Sequence, residues 1–178
     1  MALALTKDIT EEIKHDAKIP HEWFMGNIGL LHIILPVGLL KFGDATIALA
    51  FPMALSMIWI GLTYLKTQKA WKTQHWFIAA NWQVSFNRYK ILMIAYAVTW
   101  LIMGLGMLIA SSSAGSMQGI METVFTRIAA IPTFIMVVVM FVLESGAMFD
   151  VSKGGISEKI VEKFPPPEDM HFEKEQHG

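Results

Sequence analysis

The sequence predicts an all-α, polytopic membrane protein: four transmembrane helices with kinks, plus a cytoplasmic amphipathic helix lying at the interface. Three observations carry that prediction. Of the 178 residues 54% are hydrophobic and only 16% charged, where a soluble domain of this size carries about a quarter charged residues. The apolar residues are gathered into four long blocks instead of alternating with polar ones, so helices and not barrel strands are expected. The Lys and Arg residues fall almost entirely on one side of the resulting layout.

Taken in order, residues 1–22 form a polar, mixed-charge N-terminal segment with a short amphipathic helix. Asp8 and Glu11 resemble a capping box opening that helix, which runs to about Lys18 and is stopped by Pro20. No basic start, apolar core and small-residue cleavage site are arranged as in a secretory signal, so the first apolar block is expected to be retained. The membrane domain, 23–149, holds spans at 24–40, 45–65, 91–110 and 128–149, each long enough for a bilayer core of about 30 Å. Lys41, Phe42, Gly43 and Asp44 make a tight turn between spans one and two, which therefore form an antiparallel hairpin. Spans three and four are joined on the same face by a flexible Ser-rich stretch, 111–116. Pro36, Pro52 and Pro132 lie inside spans and predict kinks. Ala50 and Ala54 make a small-xxx-small pair, and Gly104 and Gly106 thin part of span three.

Between spans two and three, the stretch 66–90 carries Lys66, Lys69, Lys72, Arg88 and Lys90 and no acidic residue. Its Trp71, Ile78, Trp82, Phe86 and Tyr89 recur at helical steps with His75 on the same stripe, predicting a basic, Trp-rich interfacial helix. Trp71, His75, Trp82, Phe86 and Arg88 are the candidates for docking lipid headgroups or a partner. The remaining residues, 150–178, read as a Pro-rich, acidic tail, extended at Pro165, Pro166 and Pro167 and disordered beyond unless a partner holds it. With four spans, twelve of the fourteen basic residues share one face, leaving Lys41 and Arg127 opposite. The positive-inside rule makes the richer face cytoplasmic, with both termini there, in a bacterial inner (plasma) membrane.

Chemistry is sparsely signalled. The absence of Cys removes disulfides, thiol nucleophiles, thiolate metal sites and covalent haem attachment. No phosphate-cradling loop and no nucleophile elbow occurs, so no catalytic residues are assigned and no enzyme activity is expected. Net charge near zero offers nothing to nucleic acid. The intramembrane polar candidates are His32, Glu144 and Asn27. Counted along helices, His32 lies about 13 Å in from Trp23 and Glu144 about 8 Å in from Phe149, depths that allow a contact or a one-water bridge. Such groups are costly in a bilayer and mark either a relay, a polar pocket for a quinone-like ring, or a pair that fixes helix register. His32 is the only histidine inside a span, so a two-histidine haem within one chain is disfavoured; a haem or pigment held through His32 is the only cofactor expectation, and no metal site is expected.

The function expected is that of an integral accessory or structural subunit of a larger multi-protein membrane complex, non-catalytic by itself, with lipids and other membrane subunits as partners. The alternatives are a small oligomeric transporter or proton-conducting protein using His32 and Glu144, and a cofactor-holding subunit of an electron-transfer or light-harvesting assembly.

Overall fold

The structure, a computed structural model, describes residues 2–5, 9–41, 43–113, 115–168, 170 and 172–174. It is predominantly helical. Strand β1 (Ala2–Leu5) precedes helix α1 (Glu11–Gly26), which passes into a π-helical segment (Asn27–Ile34) and then α2 (Leu35–Leu40) without a break. Helices α3 (Ala45–Thr73), α4 (Trp76–Ser111) and α5 (Ser116–Ser152) follow, then β2 (Gly155–Ser157), α6 (Glu158–Lys163) and β3 (Phe172–Lys174). Four helical stretches, Glu11–Leu40, Ala45–Thr73, Trp76–Ser111 and Ser116–Ser152, are long and apolar enough to cross a membrane. The chain is thus multi-pass by length and composition, as the four apolar blocks predict.

Its contacts divide the chain into two compact units, one of Met1–Met25, Ile60–Arg88 and Val142–Gly178, the other of Gly26–Trp59 and Tyr89–Phe141. The second unit has an inverted pattern. Its buried positions are often small or polar: Asn27, Ala48, Ser56, Ala95, Tyr96, Thr99, Ala110, Thr126, Ala129 and Thr133. Its exposed positions are large and apolar, among them Ile34, Val37, Ile58, Ile94, Leu101, Leu108 and Phe134. Water would punish that arrangement; lipid rewards it, since helices in hydrocarbon associate through small residues and internal hydrogen bonds. On α4 the buried residues Leu92, Tyr96, Thr99, Met103 and Ala110 recur at alternating steps of three and four, or seven in all, the seam of left-handed helix packing. Gly106 continues that seam: a Cβ built on it would lie 2.3 Å from the Phe125 Cβ, so only glycine admits this approach of α4 and α5. Hydroxyl pairs Thr46–Thr126 (3.3 Å) and Thr99–Thr133 (2.8 Å) bridge helices inside the same unit.

The first unit combines an apolar core with charged residues at its surface, beside exposed apolar residues such as Leu65, Val142 and Phe149. Ile9, Ala17, Phe77, Ile78, Trp82, Val151, Ile156 and Ile160 form one apolar core, with Trp71 and Phe164 packed against it. Glu11, Glu12, Lys69, Lys72, Lys153 and Lys159 are exposed. The chain's first and last strands join here in a three-stranded antiparallel sheet of order β2-β1-β3, with Leu3 opposite Ile156 on one side and Lys174 on the other. Helix α5 hands over to β2 through Gly154, whose φ of +75° is open to glycine and strained for other residues.

Several local expectations are corrected. The N-terminal helix does not stop at Pro20 but runs through it, because Ala17, Pro20, His21 and Phe24 form one buried stripe whose packing outweighs one missing hydrogen bond. Thr10, whose hydroxyl accepts from the Ile13 N–H at 3.3 Å, opens that helix; Asp8, expected as its cap, lies outside the described residues, as do Lys7, Phe42, His171 and His177. The stretch 66–90 is not a separate interfacial helix. It is the end of α3, a turn at Gln74 and His75, and the start of α4, so Trp71 and Trp82 belong to different helices. The Pro-rich tail, expected to be disordered without a partner, is tied to its own chain by stacking of Phe164 on Trp71 (5.1 Å between ring centres) and by the pairing of β3 with β1. At Pro36 the chain adopts a π segment immediately upstream. In an unbroken α-helix the proline ring would collide with the His32 carbonyl, and the wider register relieves that clash.

Candidate functional site

Among the described residues, each unit contains a buried polar cluster built around a histidine. The first is assembled from α1, α4 and α5. His21 follows Pro20 on the inward stripe of α1. Asn81 and Arg88, seven residues apart, lie on one face of α4. Glu144 occupies the seam of α5 between Met140 and Ala147. His21 and Glu144 are completely buried. The His21 Nδ1 lies 2.5 Å from Glu144 Oε2, and Arg88 Nη1 lies 3.1 Å from Glu144 Oε1. His21 Nε2 lies 3.1 Å from Asn81 Oδ1. Nearby, the Ser85 hydroxyl donates to the Pro20 carbonyl at 3.0 Å.

These contacts fix where protons sit. Asn81 donates its amide nitrogen to the Phe77 carbonyl at 2.9 Å, so its oxygen is the atom turned toward His21. An amide oxygen only accepts, and His21 Nε2 must therefore carry a hydrogen. A second proton lies between Nδ1 and Glu144, either on the imidazole as an imidazolium–carboxylate pair or on the carboxyl group. In both forms the cluster of Arg88, His21 and Glu144 keeps one net positive charge. Asp150 and Arg88, with Asn81, Ala147 and Gly155–Ser157, line an adjoining cavity of about 220 Å³. Buried charge of this kind is tolerable only when paired and hydrogen-bonded throughout.

The second cluster lies in the π segment and the helices around it. His32 Nε2 meets the Tyr96 hydroxyl in a short contact, Tyr96 donates to Ser56 Oγ at 2.8 Å, and Ser56 donates to Asn27 Oδ1 at 3.0 Å. The i→i+5 register brings His32 Nδ1 within 3.4 Å of the Asn27 carbonyl. Each hydroxyl donates once and accepts once, so the chain has a single direction, from His32 Nε2–H to Asn27 Oδ1, and a neutral imidazole in that chain has no hydrogen on Nδ1 to donate to the Asn27 carbonyl. It ends on an amide, which neither ionises nor passes a proton on. The Asn27 amide nitrogen is fully buried and without a partner among the described residues.

The sequence candidates thus fall into two groups. His32 and Asn27 come together. Glu144 is matched instead by His21 and Arg88 within its own unit, so each member of the expected His32–Glu144 pair is satisfied separately. Arg88, expected at the interface, is a partner of the buried carboxylate. Of the other docking candidates, Trp71 donates its indole N–H to Gln83 (3.3 Å), and His75 Nδ1 accepts from the Phe77 N–H (3.3 Å). Trp82 is buried, and Phe86 packs on Tyr64 at 5.3 Å between ring centres. The Lys66 ammonium lies 4.0 Å from the Trp23 ring centre and 5.5 Å from that of Trp82. His21, Asn81, Ser56 and Tyr96 were not singled out from sequence. The available signal was their position at steps of three and four from other inward residues.

The chain was compared with protein-family models, curated proteins and solved structures, and none of the three comparisons gives a match.

Proposed function

We propose that this multi-pass protein is an integral accessory or structural subunit of a larger membrane assembly, not catalytic by itself, in a bacterial inner membrane with both termini cytoplasmic. The observation that carries the reading is the closure of the two polar clusters. The described titratable groups in them are engaged by neighbours within the chain, in ion-paired and hydrogen-bonded sets that lock helix register. The proposed partners are lipids and other membrane-protein subunits. The orientation is supported by the twelve-to-two distribution of Lys and Arg. In support of a docking role, the first unit offers a folded, charged surface built from both ends of the chain. Affinity purification in mild detergent, followed by native mass measurement, tests it. A stoichiometric membrane-protein partner whose assembly fails when this chain is deleted supports the reading; a lone chain or a homo-oligomer opposes it.

One observation favours a second reading, a proton-conducting protein. The proton between His21 and Glu144 is held beside a cavity lined by Arg88 and Asp150. Reconstituted vesicles carrying a pH gradient test this directly: flux abolished by Glu144→Gln and by His21→Ala supports conduction, and no flux in the wild type removes it. A cofactor held through His32 draws less support, since its Nε2 is already engaged by the Tyr96 hydroxyl.

A further inference from the structure

The second unit holds a larger, apolar cavity of about 420 Å³, within the range of small-molecule sites. It is lined by Pro36 and Leu40 before the α2–α3 turn, by Ala45 to Met53 on α3, and by Thr126 to Val138 on α5. At 1.5 Å per residue it extends about 12 Å along α3 and about 18 Å along α5. That is about the depth of one leaflet's hydrocarbon, half of a core of about 30 Å. It is long and lies along the helices, a shape suited to a chain more than to a ring.

Its polar lining is selective. Thr126 is bonded to Thr46, Thr133 to Thr99, and His32 Nε2 to Tyr96, so these groups are already engaged within the chain. Asp44, at the same turn, spends one carboxylate oxygen capping α3 through the N–H groups of Thr46 (2.9 Å) and Ile47 (3.0 Å). Arg127 is the exception: it lines the cavity at the end nearest that turn and forms no ion pair or hydrogen bond among the described residues. A guanidinium with no partner among the described residues, above a leaflet-deep apolar slot, matches one chemistry, an anionic head joined to an acyl chain.

We infer that this cavity is a binding site for an anionic phospholipid, with one acyl chain between α2, α3 and α5 and the phosphate on Arg127. The site is independent of the proposed subunit role.

The test uses the full chain, delipidated in mild detergent, with phosphatidylglycerol and phosphatidylcholine of identical chains added separately and binding read by native mass spectrometry and melting temperature. Phosphatidylglycerol is expected to bind and raise the melting temperature, with binding about tenfold or more weaker for phosphatidylcholine and for Arg127→Gln, the loss expected for a charge-assisted bond. Arg127→Lys is expected to recover part of the affinity. Ala130→Phe, which fills the slot, is expected to abolish binding; its own melting temperature without lipid separates a filled slot from a misfolded chain, and Val138→Phe repeats the test from the deep end. Equal binding of the two lipids, unchanged binding in Arg127→Gln, or equal protection by inorganic phosphate alone overturns the proposal. So does a co-purified polypeptide that occupies the cavity and is displaced by neither lipid.

Discussion

Glu144→Ala is the most informative single substitution. It removes a fully buried carboxyl group with a histidine nitrogen at 2.5 Å and a guanidinium nitrogen at 3.1 Å, leaving Arg88 without its counter-ion and His21 without the partner that shares its proton. Breaking a buried ion pair from one side costs about 3–5 kcal/mol. In a chain of this size each kcal/mol moves the melting temperature by about 2–4 °C, so a loss of about 6–20 °C is expected. Thermal unfolding in detergent, followed through the six tryptophans, measures it. Two further variants identify the cause. Glu144→Gln keeps an acceptor for His21 but removes the charge beside Arg88, and is expected to fall between wild type and Glu144→Ala. Replacing the set together (His21→Leu, Arg88→Met, Glu144→Leu) leaves no uncompensated charge and is expected to melt above Glu144→Ala despite carrying three changes. A Glu144→Ala melting point within about 2 °C of wild type, the range of a neutral surface change, would refute the reasoning.

Gly106→Val forces a side chain into the Phe125 Cβ, and overpacking of this kind costs about 1–3 kcal/mol; the melting temperature should fall, and Phe125→Ala in the same chain should recover part of it. Tyr96→Phe removes the centre of the His32–Tyr96–Ser56–Asn27 chain, and a loss of about 0.6–1.7 kcal/mol is expected from comparable bonds in membrane helices. Phe164→Ala unstacks the C-terminal segment from Trp71, and faster proteolysis beyond residue 164 with unchanged helicity is the expected readout. Because the chain has no Cys, single-Cys labelling of intact cells is free of background: Ser113→Cys should react with an impermeant maleimide and Lys69→Cys should not, and the opposite pattern would invert the orientation.

The spans were legible because bilayer thickness imposes long apolar blocks on any sequence that crosses it. The hairpin at residues 41–44 was legible for the same reason, since two spans left only four residues between them. The inward faces were less so. Hydrophobicity identifies a buried face in water, but in the second unit the buried face is the less apolar one, and Ser56, Thr99 and Thr133 carry no hydrophobic signal. His21 was missed because Pro20 was read as a helix end; once the helix continues, His21 falls on a buried stripe. The Trp71–Tyr89 periodicity was real as spacing but crossed a turn at His75, and spacing alone cannot show that two helices share it. The terminal sheet rests on pairing between residues more than 150 positions apart, which no local pattern announces.

The central claim is that this chain works as part of a larger membrane assembly, its buried charges holding its own helices in place. Native mass measurement of the affinity-purified protein, wild type beside Glu144→Gln, tests it most directly. The account predicts a fixed-stoichiometry complex with another membrane protein in the wild type, with any loss in the variant tracking its lowered melting temperature. A wild-type chain that purifies alone or only with itself, in a detergent that preserves known membrane complexes, would contradict it.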